Sequence, residues 1–288
     1  MNLITGTTGH LGKVAASHYL QSNPATPLAI LSRDASKVAD LAAQGAEVRI
    51  GDYGDYASLV KAFTGIDKLF FVSSNDLVHR QEHHKNVFKA AKEAGLDHLI
   101  FTSFQYTSTA ADSPNGLMPG YVESEDILVN SGLNYTILRN GIYMDMLTDI
   151  IGPGIKANHT LFAPAGDTQA AFTSRNDLAE AAARVLLTAD RYVNQTLDLV
   201  NVESVNFPAI AETLTTILGT KINYVDAGEE AYKEALAGAG LPPVVVGLFA
   251  GILASIKAGE FKKVGHSLED ILGRKPTSVA EYLKDFYA

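Results

Sequence analysis

Short apolar runs alternate with longer amphipathic stretches along the first half of the chain. The runs fall at residues 3–5, 28–31, 47–50, 69–73, 98–102 and 135–138, and helical periodicity marks residues 10–20, 34–44, 56–63 and 81–94. Strands and helices alternating in this way build βαβ units, in which each crossover lays the next strand parallel to the last. The run Leu69-Phe70-Phe71-Val72 is apolar at every position, as a strand covered on both faces requires. Six parallel strands are therefore expected within residues 1–150. Gly95 fits the residue just past a helix C-terminus, and Asp34 fits an N-cap whose carboxylate accepts from free backbone N–H groups.

Beyond residue 150 the alternation becomes irregular. Strands are expected at 196–200 and 222–225, with helices at 176–187, 208–218, 229–237 and 279–286. The fold class is thus α/β: a doubly wound parallel sheet over residues 1–150, and a smaller α+β lobe over residues 151–288 that shapes a substrate site. No Pro- or Ser-rich linker separates the two, so the boundary is soft and the chain is free to recross it.

The first run leads into Gly6-Thr7-Thr8-Gly9-His10-Leu11-Gly12. Position gives this series its weight, because it joins the first strand to the first helix, as in a Rossmann dinucleotide fold. There the first glycine turns the chain off the strand, the second lets backbone approach a pyrophosphate, and the third lets helix and strand pack closely. The helix N-terminus adds free N–H donors and the positive end of its dipole. A tight turn without a ligand is the alternative. At the tip of the second strand, Leu31-Ser32-Arg33 carries no carboxylate to accept from a ribose 2′-hydroxyl. Arg33 instead offers a bidentate fork to a 2′-phosphate and Ser32 a further donor, so NADP(H) is expected in preference to NAD(H). The alternative is a solvated Arg33 ahead of a capped helix. Asp52, beyond the third strand, lies near the adenine or caps a turn.

Composition narrows the chemistry. The 288 residues include no cysteine, which excludes disulfides, thiolate metal sites and a cysteine nucleophile. The net charge of −9 with dispersed basic residues argues against a nucleic-acid partner. The apolar stretch at 241–256 is too short for a membrane span and holds Pro242, Pro243, Gly247 and Gly251, so it reads as a buried or interface helix and a possible homodimer face. No basic, apolar leader precedes the first strand, and a cytoplasmic enzyme is expected.

With these residues in view, the chain resembles the NmrA-like branch of the atypical short-chain dehydrogenases/reductases, and within it the quinone-reductase and triphenylmethane-dye-reductase members. The similar stretches are the glycine loop, residues 43–53, 90–95 and 135–143 (which holds Leu138-Arg139-Asn140), and Ser174-Arg175-Asn176-Asp177-Leu178-Ala179. The resemblance implies NADPH on the Rossmann side, with a substrate in the cleft between the lobes. It carries cofactor contacts onto Gly6, Thr8, Gly9, His10, Leu11 and Arg33, then onto Ser73, Ser74 and Asn75. Strand C-terminal ends converge on one crevice in such sheets, which adds Ser103, Phe104, Asn140, Gly141 and Tyr143 as candidates for the nicotinamide and substrate region.

Ordinary short-chain dehydrogenases place Tyr-x-x-x-Lys on one helix, the ammonium easing proton loss from the phenol. Here the comparable segment reads Tyr121-Val122-Glu123-Ser124-Glu125, with a carboxylate in the lysine's place, so Tyr121 is a poor base and is expected to pack against the sheet. Hydride reduction of a quinone or similar planar, electron-poor acceptor needs no dedicated acid and gains rate from proximity, with Asn140 or a tyrosine steadying the oxyanion. Tyr106 and Tyr143, beyond strand ends, are the candidate hydroxyls, with plain packing as the alternative for each. His79, Glu82, His83 and His84 lack the spacing of a metal motif and are expected on a solvated helix face. Arg175 and Asp177 read as an ion pair or helix cap. The rivals to a quinone reductase are a non-catalytic NADP(H) sensor, a dye or ene/carbonyl reductase, and an epimerase-like enzyme.

Overall fold

A computed structural model describes residues 1–106, 113, 118–152 and 154–288. The sheet is assembled from β1 (Asn2–Ile4), β2 (Leu28–Ser32), β3 (Glu47–Ile50), β4 (Lys68–Phe71), β5 (His98–Phe104) and β6 (Tyr135–Asn140). The chain then forms β7 (Thr160–Phe162), β8 (Gln195–Leu199) and β9 (Asn223–Val225). Seven strands pair in the order β3-β2-β1-β4-β5-β6-β8, all parallel. The doubly wound α/β sheet expected from the apolar runs is therefore present, with one strand more than expected. That strand, β8, looked from its sequence like part of the smaller lobe. It instead pairs with β6, Leu138 opposite Leu197, because the chain returns to the sheet after building β7.

Helices cover both faces. On one, His10–Gln21 lies against Arg175–Leu187, and small residues at the contact (Ala15, Ala16, Ala179, Ala182 and Ala183) are all buried. On the other, Leu59, Phe63, Phe88, Ala91 and Leu128 from three helices pack on Leu3, Leu69, Phe71 and Phe101. Burial at about 25 cal/mol per Å² of apolar surface makes these two layers the main source of stability. A third core joins Ile142, Phe172, Phe207, Leu253 and Phe261 beneath the short β7·β9 pair.

Several local readings are met. Asp34 accepts from the Ser36 amide, and Gly95 at φ 71 ends the helix Arg80–Glu93, with the Leu96 amide donating to Ala91 O at 3.1 Å. The stretch 34–44 is not one helix, however. Val38 at ψ 19 separates a 3₁₀ turn, Ala35–Val38, from a short helix, Ala39–Ala43. The apolar helix runs Pro243–Lys257, and among the described residues no helix is long and apolar enough to cross a membrane.

Candidate active site

The strand order reverses between β1 and β4, and their C-terminal ends open a crevice there, the usual ligand position in such sheets. A cleft of about 580 Å³ occupies this place. Its base is the glycine loop. Gly6 has φ 66, and a Cβ on it would stand 2.8 Å from Val72 Cβ. A Cβ on Gly12 would meet Gly6 O at 2.5 Å, so helix and loop touch through bare backbone. No side chain caps the helix His10–Gln21, and its first helical bond runs from the Lys13 amide to Gly9 O. The amides of the first turn are thus left for a ligand, and the cradle fits a dinucleotide phosphate.

Thr8, Gly9, His10, Leu11 and Gly12 line the cleft, with Ser32, Arg33 and Asp52 at the end beyond β2 and β3. The Arg33 side chain is 79% exposed, and its nearest charge is Asp52 at 3.7 Å, which leaves the guanidinium able to reach a phosphate. Ser32 is committed differently from expectation. Its hydroxyl donates to Asp34 O at 2.7 Å and accepts from the Asp34 amide at 3.1 Å, so its hydrogen shapes the turn.

At the other end, Ser73, Ser74, Asn75, Ser103 and Tyr143 line the wall. Burial pushes the Tyr143 phenol up to about 12, and it accepts from Asn140 Nδ2 at 3.4 Å. The Arg175 guanidinium lies 5.1 Å from the Tyr143 ring centroid and pairs with Asp145 at 2.6 Å. Four sequence candidates are not part of the wall: Phe104, which stacks on Tyr121, and Asn140, Gly141 and Tyr106. Asn140 is buried and reaches the cleft only through Tyr143. Gly141 is packed so closely that a Cβ would meet Thr173 Oγ1 at 2.6 Å. Tyr106 donates to Glu125 at 3.2 Å and accepts from Arg139 at 2.5 Å, with its ring 4.2 Å under the guanidinium. Burial, and then the Glu125 charge, raise its phenol.

Glu125, standing where a lysine would ease proton loss from Tyr121, is itself buried and held. Arg139 pairs with both its oxygens, and Ser103 Oγ donates to it at 2.5 Å. Tyr121 lines the cleft, stacked on Phe104 at 6.0 Å and facing Arg80 at 5.0 Å.

Of the histidine segment, His79 and Glu82 lie on the expected solvated face, but His83 and His84 do not. His84 is fully buried, and burial, followed by the Arg80 charge, drives it down to about 3, so it is neutral. His83 lines the cleft and its Nδ1 lies 2.8 Å from Ser74 Oγ, while Arg80 Nε donates to Ser74 O at 2.9 Å. The spacing His84, Val87, Phe88, Ala91 is a helical face, and it held the signal that would have placed His84 inside. Tyr53 was also missed. Its hydroxyl bridges Thr5 Oγ1 at 2.6 Å and Val72 O at 3.0 Å, tying β1 to the β4 exit.

A parallel sheet with a bare glycine cradle at its crossing point defines a dinucleotide-binding α/β protein. A family model described as NAD(P)H-binding matches residues 6–189, and the chain belongs to that family. Quinone oxidoreductase 2 of Escherichia coli is 32% identical over 287 residues, covering 100% of this chain and 99% of the relative. The crystal structure of an NADPH-dependent quinone oxidoreductase from that organism, complexed with NADPH, aligns with a TM-score of 0.93 at 32% identity over 100% of both chains. Triphenylmethane reductase of Citrobacter sp., complexed with NADP(H), aligns at 0.91 and 32% identity over 99% of each.

Proposed function

We propose that this protein is an NADPH-dependent reductase that delivers hydride to a quinone or similarly planar, electron-poor acceptor. The observation that carries the reading is one continuous cleft with a bare glycine cradle in the middle, an exposed arginine at one end and an un-ionised tyrosine at the other. Full-length similarity to a quinone reductase and a dye reductase supports it. The amides after Gly9 and the guanidinium of Arg33 hold the phosphates of NADPH, which supplies the hydride when bound. Tyr143, protonated and steadied by Asn140, donates a hydrogen bond to the oxyanion that develops on the acceptor. Glu125 takes no proton from Tyr121, because Arg139, Ser103 and Tyr106 occupy its oxygens.

Residues 151–288 shape the acceptor's side of the cleft, with Arg175 their contribution to the wall. The cytoplasm, where NADPH is regenerated, is the place for such an enzyme. The exposed Val244 and Leu248 on the helix Pro243–Lys257 offer a face to a second copy, which light scattering tests. The function is tested by following the reduced-nicotinamide absorbance with NADPH and NADH against a panel of quinones and a triphenylmethane dye. Acceptor-dependent oxidation of NADPH, faster than of NADH, is expected. Binding of NADPH with no turnover on any acceptor would leave the sensor reading in its place.

A further inference from the structure

Behind the β4 exit, the second turn of the helix Arg80–Glu93 places His84 in full burial among Phe71, Phe88 and Phe101. Its hydrogen bonds assign its tautomer. The Ser74 amide can only donate, and it points at Nε2 from 3.3 Å, so Nε2 is the lone-pair nitrogen. Ser73 Oγ, 3.0 Å from the same nitrogen, is then a donor there as well. Nδ1 carries the ring's hydrogen and donates to Ser124 Oγ at 2.8 Å, and Ser124 passes its own to the Gly120 carbonyl at 2.8 Å.

A hydroxyl has one hydrogen and two lone pairs. With its hydrogen spent on His84, Ser73 offers the cleft lone pairs alone. Ser103, on the next strand, is set in the same way by Glu125. Ser73 and Ser103, at the ends of β4 and β5, therefore present acceptors rather than donors to the cleft.

We infer that His84 is a positioning residue for the cofactor: by taking the Ser73 hydrogen it holds Ser73 as an acceptor for a donor group, a ribose hydroxyl or the carboxamide N–H, on the nicotinamide half of NADPH. The inference rests on the NADPH reading above. It separates Ser73 from the oxyanion side of the reaction, which belongs to Tyr143.

The test is calorimetric binding of NADPH and of 2′,5′-ADP, which carries the adenosine half alone. His84→Phe keeps the aromatic packing but cannot accept, and it raises the NADPH Kd about ten-fold while leaving that of 2′,5′-ADP unchanged. His84→Gln, whose side-chain carbonyl can accept, restores NADPH binding. Ser73→Ala weakens NADPH as His84→Phe does, and the double variant is no weaker than either single one, since both act through one contact. Unchanged NADPH affinity in Ser73→Ala, additive losses, or an equal loss of 2′,5′-ADP binding overturns the assignment. If His84→Phe does not fold, Ser73→Ala decides alone. A wild-type protein that binds no NADPH would sink the cofactor reading itself, a result distinct from all of these.

Discussion

Arg139 clasps Glu125 from behind the cleft, its Nε lying 3.0 and 3.1 Å from the two carboxylate oxygens. Glu125 is 4% exposed and the Arg139 side chain 24%, so removing Glu125 leaves a partly buried guanidinium without its carboxylate. Glu125→Leu is expected to cost about 3 kcal/mol of stability, and Glu125→Leu with Arg139→Leu to regain most of it. Urea denaturation of the three proteins measures both effects. A double variant as unstable as the single one would show that packing, not the stranded charge, sets the cost.

In the proposed reading, Arg33 carries the cofactor preference. Arg33→Ala should weaken NADPH binding by about 1–3 kcal/mol and NADH binding hardly at all, because only the former has a 2′-phosphate to lose. Fluorescence titration with both nucleotides distinguishes this from a general loss. Equal weakening removes the phosphate assignment.

Tyr143 is held protonated by burial, at about 12. Its donor capacity is therefore constant from neutral pH to pH values around 9, below its titration. Tyr143→Phe should lower kcat about 10²-fold with little change in the KM for NADPH, and by the same factor across that pH range. A loss confined to one end of the profile argues for a different group.

His84 makes stability depend on acid. Its folded-state value is lowered from 6.5 to about 3, so as pH falls through that window the unfolded chain takes up the proton first. Stability should decline from about pH 6.5 downward, and His84→Phe should decline less steeply. Urea midpoints measured between neutral and mildly acid pH give the two slopes, and identical slopes contradict the burial argument.

Gly12 tolerates no side chain. In Gly12→Ala the new methyl meets Gly6 O at 2.5 Å and Thr5 O at 2.6 Å, so the loop must move off the helix. Loss of NADPH binding in a chain with a near-native circular dichroism spectrum is the expected result.

What the sequence displayed and what it hid follow from range. β1, β2, β4, β5 and β6 were legible because strands buried on both faces are continuously apolar. The glycine cradle and Arg33 were legible because their meaning depends on the next few residues alone. β8 instead alternates polar and apolar residues, Gln195-Thr196-Leu197-Asp198-Leu199, at the sheet edge, and it gains its place by pairing with β6 after some 50 residues spent elsewhere, a return that no local pattern records. The three-residue β7 is too short for any period to show. The pairing of the Ser73 hydroxyl with His84 and of the Ser103 hydroxyl with Glu125 joins residues 11 and 22 positions apart, which no local pattern records. These pairings decide which groups can still donate to a ligand.

The glycine loop's His10 hydrogen-bonds Asn176 at 2.8 Å, across 166 positions of sequence. Alongside it, the helix Arg175–Leu187 supplies the partner for the first helix of the chain. During synthesis the cradle's own residues thus emerge long before the segment that steadies them, and closing so wide a loop is a slow step in folding. A nascent chain ending near residue 150 carries the nucleotide fingerprint without a finished pocket. Only when the helix at 175 and the strand at 195 have been made are the sheet and the helix pair beside the cradle complete.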